Sequence, residues 1–320
     1  MPPFSLADLE AASALIHQVM PPTPAIAWPL LRRRSGLDIL VKHENHTPTG
    51  AFKVRGGLIY LDQLQREGRL PKGLVTATRG NHGQSVAFAA ARYGIPAVLV
   101  VPEGNSPEKN AAMEGFGGEL VIAGRDFDES RSVAARIARE RGFDFMPSFA
   151  PALILGVATY AYELFRAADD LAAVYVPIGM GSGICAMIAV RDLLGLDTEI
   201  IGVVAEGAPA FALSFEAGHP VPTNSAVTFA DGMACRDPQK AALDVILEGA
   251  ERVLRLTEEE LAKAVYALYT DTHNVAEGAG AASLAGALRE RELYQGKRVG
   301  VILTGGNIDA SVMARILASG

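Results

Sequence analysis

Lys53 keeps unusual company for a lysine. In TGAFKVRGG (49–57) it follows Phe52 and precedes Val54, and LIYL comes directly afterwards. An ammonium group taken out of water loses basicity, and the neutral amine that results is a nucleophile toward aldehydes. Alone, the same lysine also reads as a surface side chain with its stem laid along apolar neighbours. Three further stretches hold residues able to do chemistry. PIGMGSGI (177–184) sets Gly179, Gly181 and Gly183 at alternate positions, with Met180 and Ser182 between them. Such glycines let the backbone turn tightly and aim N–H groups at one anion, to which a helix start adds favourable partial charge. TRGNHGQ (78–84) brings Thr78, Arg79, Gly80, Asn81 and His82 to a turn whose N–H groups suit a carboxylate. LTGGN (303–307) offers the Thr304 hydroxyl. Singly, each of the three also reads as an ordinary strand-to-helix or Gly-Gly turn.

Together the four stretches answer one set of needs. Pyridoxal phosphate carries an aldehyde, a phosphate and a ring nitrogen, so it requires a lysine, an anion cradle and a partner for that nitrogen. TGAFK, GMGSG and LTGGN supply these from distant parts of the chain. A nicotinamide dehydrogenase fits poorly: the glycines are not spaced GxGxxG and no acidic residue closes a following strand.

The elements that must position these residues repeat one order: apolar strand, Gly or Pro turn, helix. LVTAT (74–78) leads into GNHGQSVAFAAARYG, a helix closed by Gly94. AVLVVP (97–102) leads into SPEKNAAMEGFG, with Ser106 as N-cap and Pro107 at the first helical position. GELVIAG (118–124), AVYVPIG (173–179), EIIGVVAEG (199–207) and RVGVILTGGN (298–307) each precede a helical pattern. Strands alternating with helices predict an α/β fold of mostly parallel sheets flanked by helices. Ligands of such sheets sit beyond the carboxyl ends of the strands, and the four stretches fall near such ends.

Composition bounds the rest. The 320 residues are 49% hydrophobic and 20% charged, enough for a buried core in two lobes or one large unit. A net charge of −7 without a basic stripe argues against nucleic acid as partner. Two cysteines, Cys185 and Cys235, make no disulfide framework or metal spacing and fit a reducing compartment. With no signal-peptide pattern and no apolar run of membrane length, a cytoplasmic protein without a membrane partner is expected.

On KHENHTPTGAFKVRGG (42–57), TRGNHGQ, PIGMGSG and TGGN, in this order over nearly the whole chain, the sequence resembles the threonine/serine dehydratase family of pyridoxal phosphate enzymes, relatives of serine racemase. The resemblance implies fold type II, the tryptophan synthase β-like architecture. A large lobe would comprise 1–70 and 147–320, and a small mobile lobe 71–146. It makes Lys53 the Schiff-base lysine, Phe52 the aromatic beside the cofactor ring and Asn81 the partner of the ring hydroxyl. Gly179, Met180, Gly181, Ser182 and Gly183 become the phosphate loop, and Thr304 the partner of the pyridine nitrogen. The loop holding Thr78, Arg79, Gly80 and His82 takes the substrate, and a homodimer is implied.

Departures from the family pattern narrow the expectations. Arg79 stands where the family has Ser or Ala; racemases use a serine there as proton carrier, and arginine does not release a proton at ordinary pH. Some relatives bind a divalent cation; Glu206 and Ala210 match two of its ligand positions, but Ala212 stands at the Asp position, so no metal set is assigned. The expected reaction is dehydration and deamination of a threonine- or serine-type amino acid, with Lys53 removing the Cα proton. Arg79, if it enters the site, points instead to 3-hydroxyaspartate or another bulkier polar β-hydroxy amino acid, through a bidentate pair with a second carboxylate. Racemisation, β-replacement and a non-catalytic ligand-binding role are the rivals within the fold. No C-terminal regulatory domain is expected.

Overall fold

Runs such as AVLVV and AVYV bury every side chain only if both faces of the sheet are covered, and this is how the chain folds. The computed structural model describes residues 4–319. Ten strands form two sheets: β1 (Ala25–Ala27), β2 (Asp38–His43), β3 (Leu74–Ala77), β4 (Ala97–Val101), β5 (Glu119–Ile122), β6 (Asp144–Phe145), β7 (Ala173–Pro177), β8 (Glu199–Ala205), β9 (Arg252–Leu256) and β10 (Arg298–Leu303). The larger sheet has the order β1-β2-β10-β7-β8-β9, and the smaller β5-β4-β3-β6. Every pairing is parallel except that of the edge strand β1 with β2. The architecture is therefore the expected α/β fold type II with two helix-flanked sheets.

Side-chain alternation divides the larger sheet between two cores. Ala173, Tyr175, Ile201, Val203, Val299 and Val301 face the helices Glu258–Thr272 and Gly278–Arg289. Val174, Val176, Ile200, Val204 and Ile302 face the helices Pro151–Ala167 and Ser182–Leu193. Each fully buried aliphatic side chain stabilises the fold by about 1.5–3 kcal/mol. Ser106 caps the helix Pro107–Gly115 as its sequence predicts, accepting from Lys109 N–H at 3.1 Å.

Strands β1, β2, β6 and β9 lie outside the expected set. Two are three residues or shorter, and β9 (RVLRL) carries arginines at two of its five positions, which masks it as a buried-type strand. β2 is disguised because its Lys42 is buried rather than solvated. Lys42 belongs to a buried ionic cluster. The Arg55 guanidinium, with no exposure, holds Glu44 Oε2 at 2.7 Å, Glu163 Oε1 at 2.7 Å and Thr159 Oγ1 at 2.9 Å. Lys42 Nζ closes the set on Glu163 Oε2 at 2.5 Å. Two cations meet two carboxylates, so charge is balanced without water. Arg55 lies two residues after Lys53, and the cluster pins the first turn of the helix Lys53–Arg66.

Candidate active site

The carboxyl ends of β3, β7 and β10 open on one cleft between the two sheets. Lys53, at the start of its helix, is brought there by a seam to the end of β10. The Phe52 N–H donates to Thr304 O at 3.0 Å, Ala51 bridges Gly305, and Gly306 N–H donates to Gly50 O at 2.9 Å. Lys53 Nζ donates to Ser182 Oγ at 3.0 Å and lies 5.0 Å from the centre of the Phe52 ring. Burial alone lowers its pKa from 10.5 to about 8, with no carboxylate beside it to restore the charge. Uptake of an aldehyde by the free amine should therefore rise with pH around a midpoint near 8. Stopped-flow absorbance of the apoprotein mixed with pyridoxal phosphate checks this, and a midpoint near 10.5 would contradict it.

The loop after β7 is shaped by close approach and by one left-handed residue. A side chain on Gly179 would collide with the Gly232 carbonyl, and Gly181 has φ 94° directly before the helix Ser182–Leu193. The first N–H groups of a helix have no partner within it; Ser182, Gly183 and Ile184 present theirs to the cleft end of the loop, while Cys185 N–H already bonds Gly181 O. Met180 and Gly183 line the same cleft. Interrupting the glycines with Met180 and Ser182 leaves these backbone donors in place, and it supplies the hydroxyl that holds Lys53.

Across the cleft, the Thr78 hydroxyl accepts from Gly80 N–H and Gly83 N–H, both at 2.9 Å. It shapes the turn from within, and the N–H groups left free at the helix start are those of Asn81 and His82. Asn81 is fixed between Glu277 Oε1 at 2.5 Å and Asn307 Nδ2 at 2.9 Å. The His82 ring is buried, and burial followed by the nearby Lys53 charge pushes its pKa down to about 3, so it is neutral. Arg79 lines the cleft as well. Thr304, 4% exposed, donates to Ala279 O at 3.3 Å and faces the cleft from the end of β10. Phe52 stands edge-on to Tyr160, ring centres 5.9 Å apart. Cys235 also lines the cleft, but burial pushes its thiol up to about 12, which excludes a resting thiolate.

Glu206 is exposed beyond β8, whereas Ala210 and Ala212 are buried at the start of the helix Ala210–Ala217. Among the described residues, no group of three His, Cys, Asp or Glu side chains is placed to hold a metal ion.

Three cleft residues escaped the sequence reading. Lys109, from the helix after β4, crosses to Asp231 Oδ2 at 2.7 Å and Glu277 Oε2 at 2.9 Å. Burial alone would discharge Lys109, but Glu277 and Asp231 together raise its pKa above the usual lysine value. Burial raises that of Glu277, with Lys109 opposing. The signal was available for Glu277: it is a lone acid in VAEGAGAASLAG, as isolated among small residues as Lys53 is among apolar ones.

These groups match what pyridoxal phosphate demands: a desolvated amine, a loop of free N–H donors beside it, an aromatic ring and a neutral hydroxyl at the far end. Comparison with known proteins agrees. The family model described as pyridoxal-phosphate dependent enzyme matches residues 16–305. An L-threonine ammonia-lyase of Geobacter sulfurreducens is 37% identical over 288 residues, covering 89% of this chain and 71% of that protein. An L-threo-3-hydroxyaspartate ammonia-lyase of Saccharomyces cerevisiae is 31% identical over 312 residues, covering 97% and 95%. The structure of threonine deaminase isoform 2 from Solanum lycopersicum superposes with a TM-score of 0.91 at 29% identity, covering 98% of this chain and 91% of that one.

Proposed function

The chain belongs to the family of pyridoxal-phosphate dependent enzymes, and from that footing we propose that it dehydrates and deaminates a β-hydroxy-α-amino acid of the threonine or serine type, releasing a 2-oxo acid and ammonia. The observation that carries this is the Lys53 amine, desolvated and 3.0 Å from Ser182 within an anion-cradling loop. Lys53, Phe52, Asn81, the loop Gly179–Gly183 and Thr304 would hold the cofactor. When bound, pyridoxal phosphate supplies an aldehyde to carry the substrate amine and a ring that accepts electron density from Cα.

The remaining work falls to the chain's own residues. Lys53, whose pKa lowered to about 8 gives it a larger neutral share near pH 7 than an ordinary lysine has, takes the Cα proton as general base. The N–H groups of Asn81 and His82 hold the substrate carboxylate and so fix which bond at Cα points toward Lys53. A neutral His82 adds no charge that would compete with Lys53 for the proton. Thr304 would offer the ring nitrogen a neutral hydroxyl rather than a carboxylate, an environment that would favour prompt loss of the β-hydroxyl over transamination. The Lys109 contacts with Asp231 and Glu277 close the cleft over these groups; in this reading the lobe 71–146 opens by breaking them. The working unit is taken to be a cytoplasmic homodimer. Arg79 is unsuited to return a proton on the opposite face of Cα, which argues against racemisation.

Incubating the holoenzyme with threonine, serine and bulkier β-hydroxy amino acids should release 2-oxo acid and ammonia in equal amounts. Racemised amino acid without 2-oxo acid would refute the proposal. Replacing Ser182 with alanine removes one hydrogen bond on Lys53, worth about 1 kcal/mol. The expected result is a loss of about fivefold in kcat at pH 7 with the cofactor still bound, read by steady-state kinetics and the cofactor's absorbance.

A further inference from the structure

We propose that Arg79 selects a substrate whose β-carbon bears a carboxylate, so that the preferred amino acids are 3-hydroxyaspartate and its longer anionic analogues. The inference rests on the dehydratase reading above and names its substrate class.

Arg79 sits between two spaces. It lines the cleft with Lys53, and it also lines an antechamber that continues past Met180, Phe127, Ala234 and Cys235. Its Nε is buried without a hydrogen-bond partner. A guanidinium stays charged at all ordinary pH, and a buried donor left unpaired is costly. The nearby acids do not relieve it. Asp231 and Glu277 are taken by Lys109, and Asp126 and Asp128 by Arg236. Asp237, the remaining acid of the antechamber, forms no ion pair with it. The turn that carries Arg79 is rigid, because the Thr78 hydroxyl holds Gly80 and Gly83 on either side of the helix start. An unmatched guanidinium carried on a rigid turn into a substrate cleft fits a carboxylate in bidentate fashion.

The N–H groups of Asn81 and His82 already account for the α-carboxylate. Arg79 therefore addresses a second one, carried on the substrate's β-carbon. A methyl group, as on threonine, offers this guanidinium nothing, whereas a β-carboxylate pairs with it. Water leaves across Cα–Cβ and is regained on hydrolysis, so 3-hydroxyaspartate gives oxaloacetate and ammonia with atoms in balance.

The test separates charge from size. For the holoenzyme, kcat/KM for 3-hydroxyaspartate should exceed that for its neutral isostere 3-hydroxyasparagine by at least tenfold. In Arg79→Ala and Arg79→Gln that ratio should fall at least tenfold, while pyridoxal phosphate binding changes less than threefold. In calorimetry on the holoenzyme, succinate should bind more tightly than butyrate, and the same variants should remove the difference. An unchanged ratio in both variants overturns the inference, as does a loss confined to pyridoxal phosphate affinity, which would assign Arg79 to the phosphate. If no substrate yields a 2-oxo acid, it is the dehydratase reading that fails. Succinate binding, which needs no turnover, then decides Arg79 by itself.

Discussion

Lys53→Ala is expected to lower 2-oxo acid release by about 10³–10⁴-fold or more, the scale of removing a general base that also holds the cofactor. Borohydride should then fix pyridoxal phosphate to the wild-type chain at Lys53 and leave this variant unlabelled; mass spectrometry of the labelled peptide reads the result. Label on another lysine would displace the assignment. The same residue carries a stability signature with a definite sign. Its amine has a pKa of about 8 in the folded protein against 10.5 for a lysine in water. Between those values the unfolded chain binds the proton and the folded one does not. Stability of the apoprotein should therefore rise with pH across that window. Below about pH 8 the buried charge costs the fold up to about 3 kcal/mol. Lys53→Met, which keeps the stem and removes the charge, should make the apoprotein more stable at pH 7 in urea unfolding. A less stable Lys53→Met would show that the amine is better paired than its surroundings indicate.

The second large effect is on folding. Arg55→Leu should destabilise the protein by about 3–5 kcal/mol, because it leaves Glu44 and Glu163 buried with Lys42 as their one buried cation, helped by the half-exposed His17 on Glu163 and by Thr23. The melting temperature should drop by roughly 10 °C, read by calorimetry. Because Arg55 anchors the helix that begins at Lys53, cofactor affinity should weaken in step. A variant with normal stability would mean that water enters and solvates the two carboxylates.

What was legible in the sequence follows from chemistry that is local. Apolar strands such as AVLVV and AVYV, and the Ser106-Pro107 helix start, declare themselves within a few residues. The stretches TGAFK, GMGSG and LTGGN stood out because lysine, glycine and threonine occur where apolar or bulky residues would be ordinary. Two kinds of feature were hidden. Charged residues that pair inside the fold, such as Lys42 on β2 or Lys109 with Asp231 and Glu277, look solvated in sequence because their partners lie far along the chain. Hydroxyl groups take roles that spacing does not announce. Thr78 reads as a substrate contact, and its hydroxyl also accepts from two backbone N–H groups of its own turn; Ser182 reads as an interruption yet holds Lys53.

The seam that ties Ala51 and Phe52 to Thr304 and Gly305 also sets a schedule. Its two sides are separated by about 250 residues of chain, which a ribosome adds over roughly 10–50 s at 5–20 residues per second. Until β10 emerges, the segment that aims Lys53 can be held through Arg55 on Glu44 and Glu163 but lacks its hydrogen bonds to Thr304 and Gly305. The wall that completes the Lys53 site is therefore the last strand of the chain to be made, and the site is finished only as that strand takes its place.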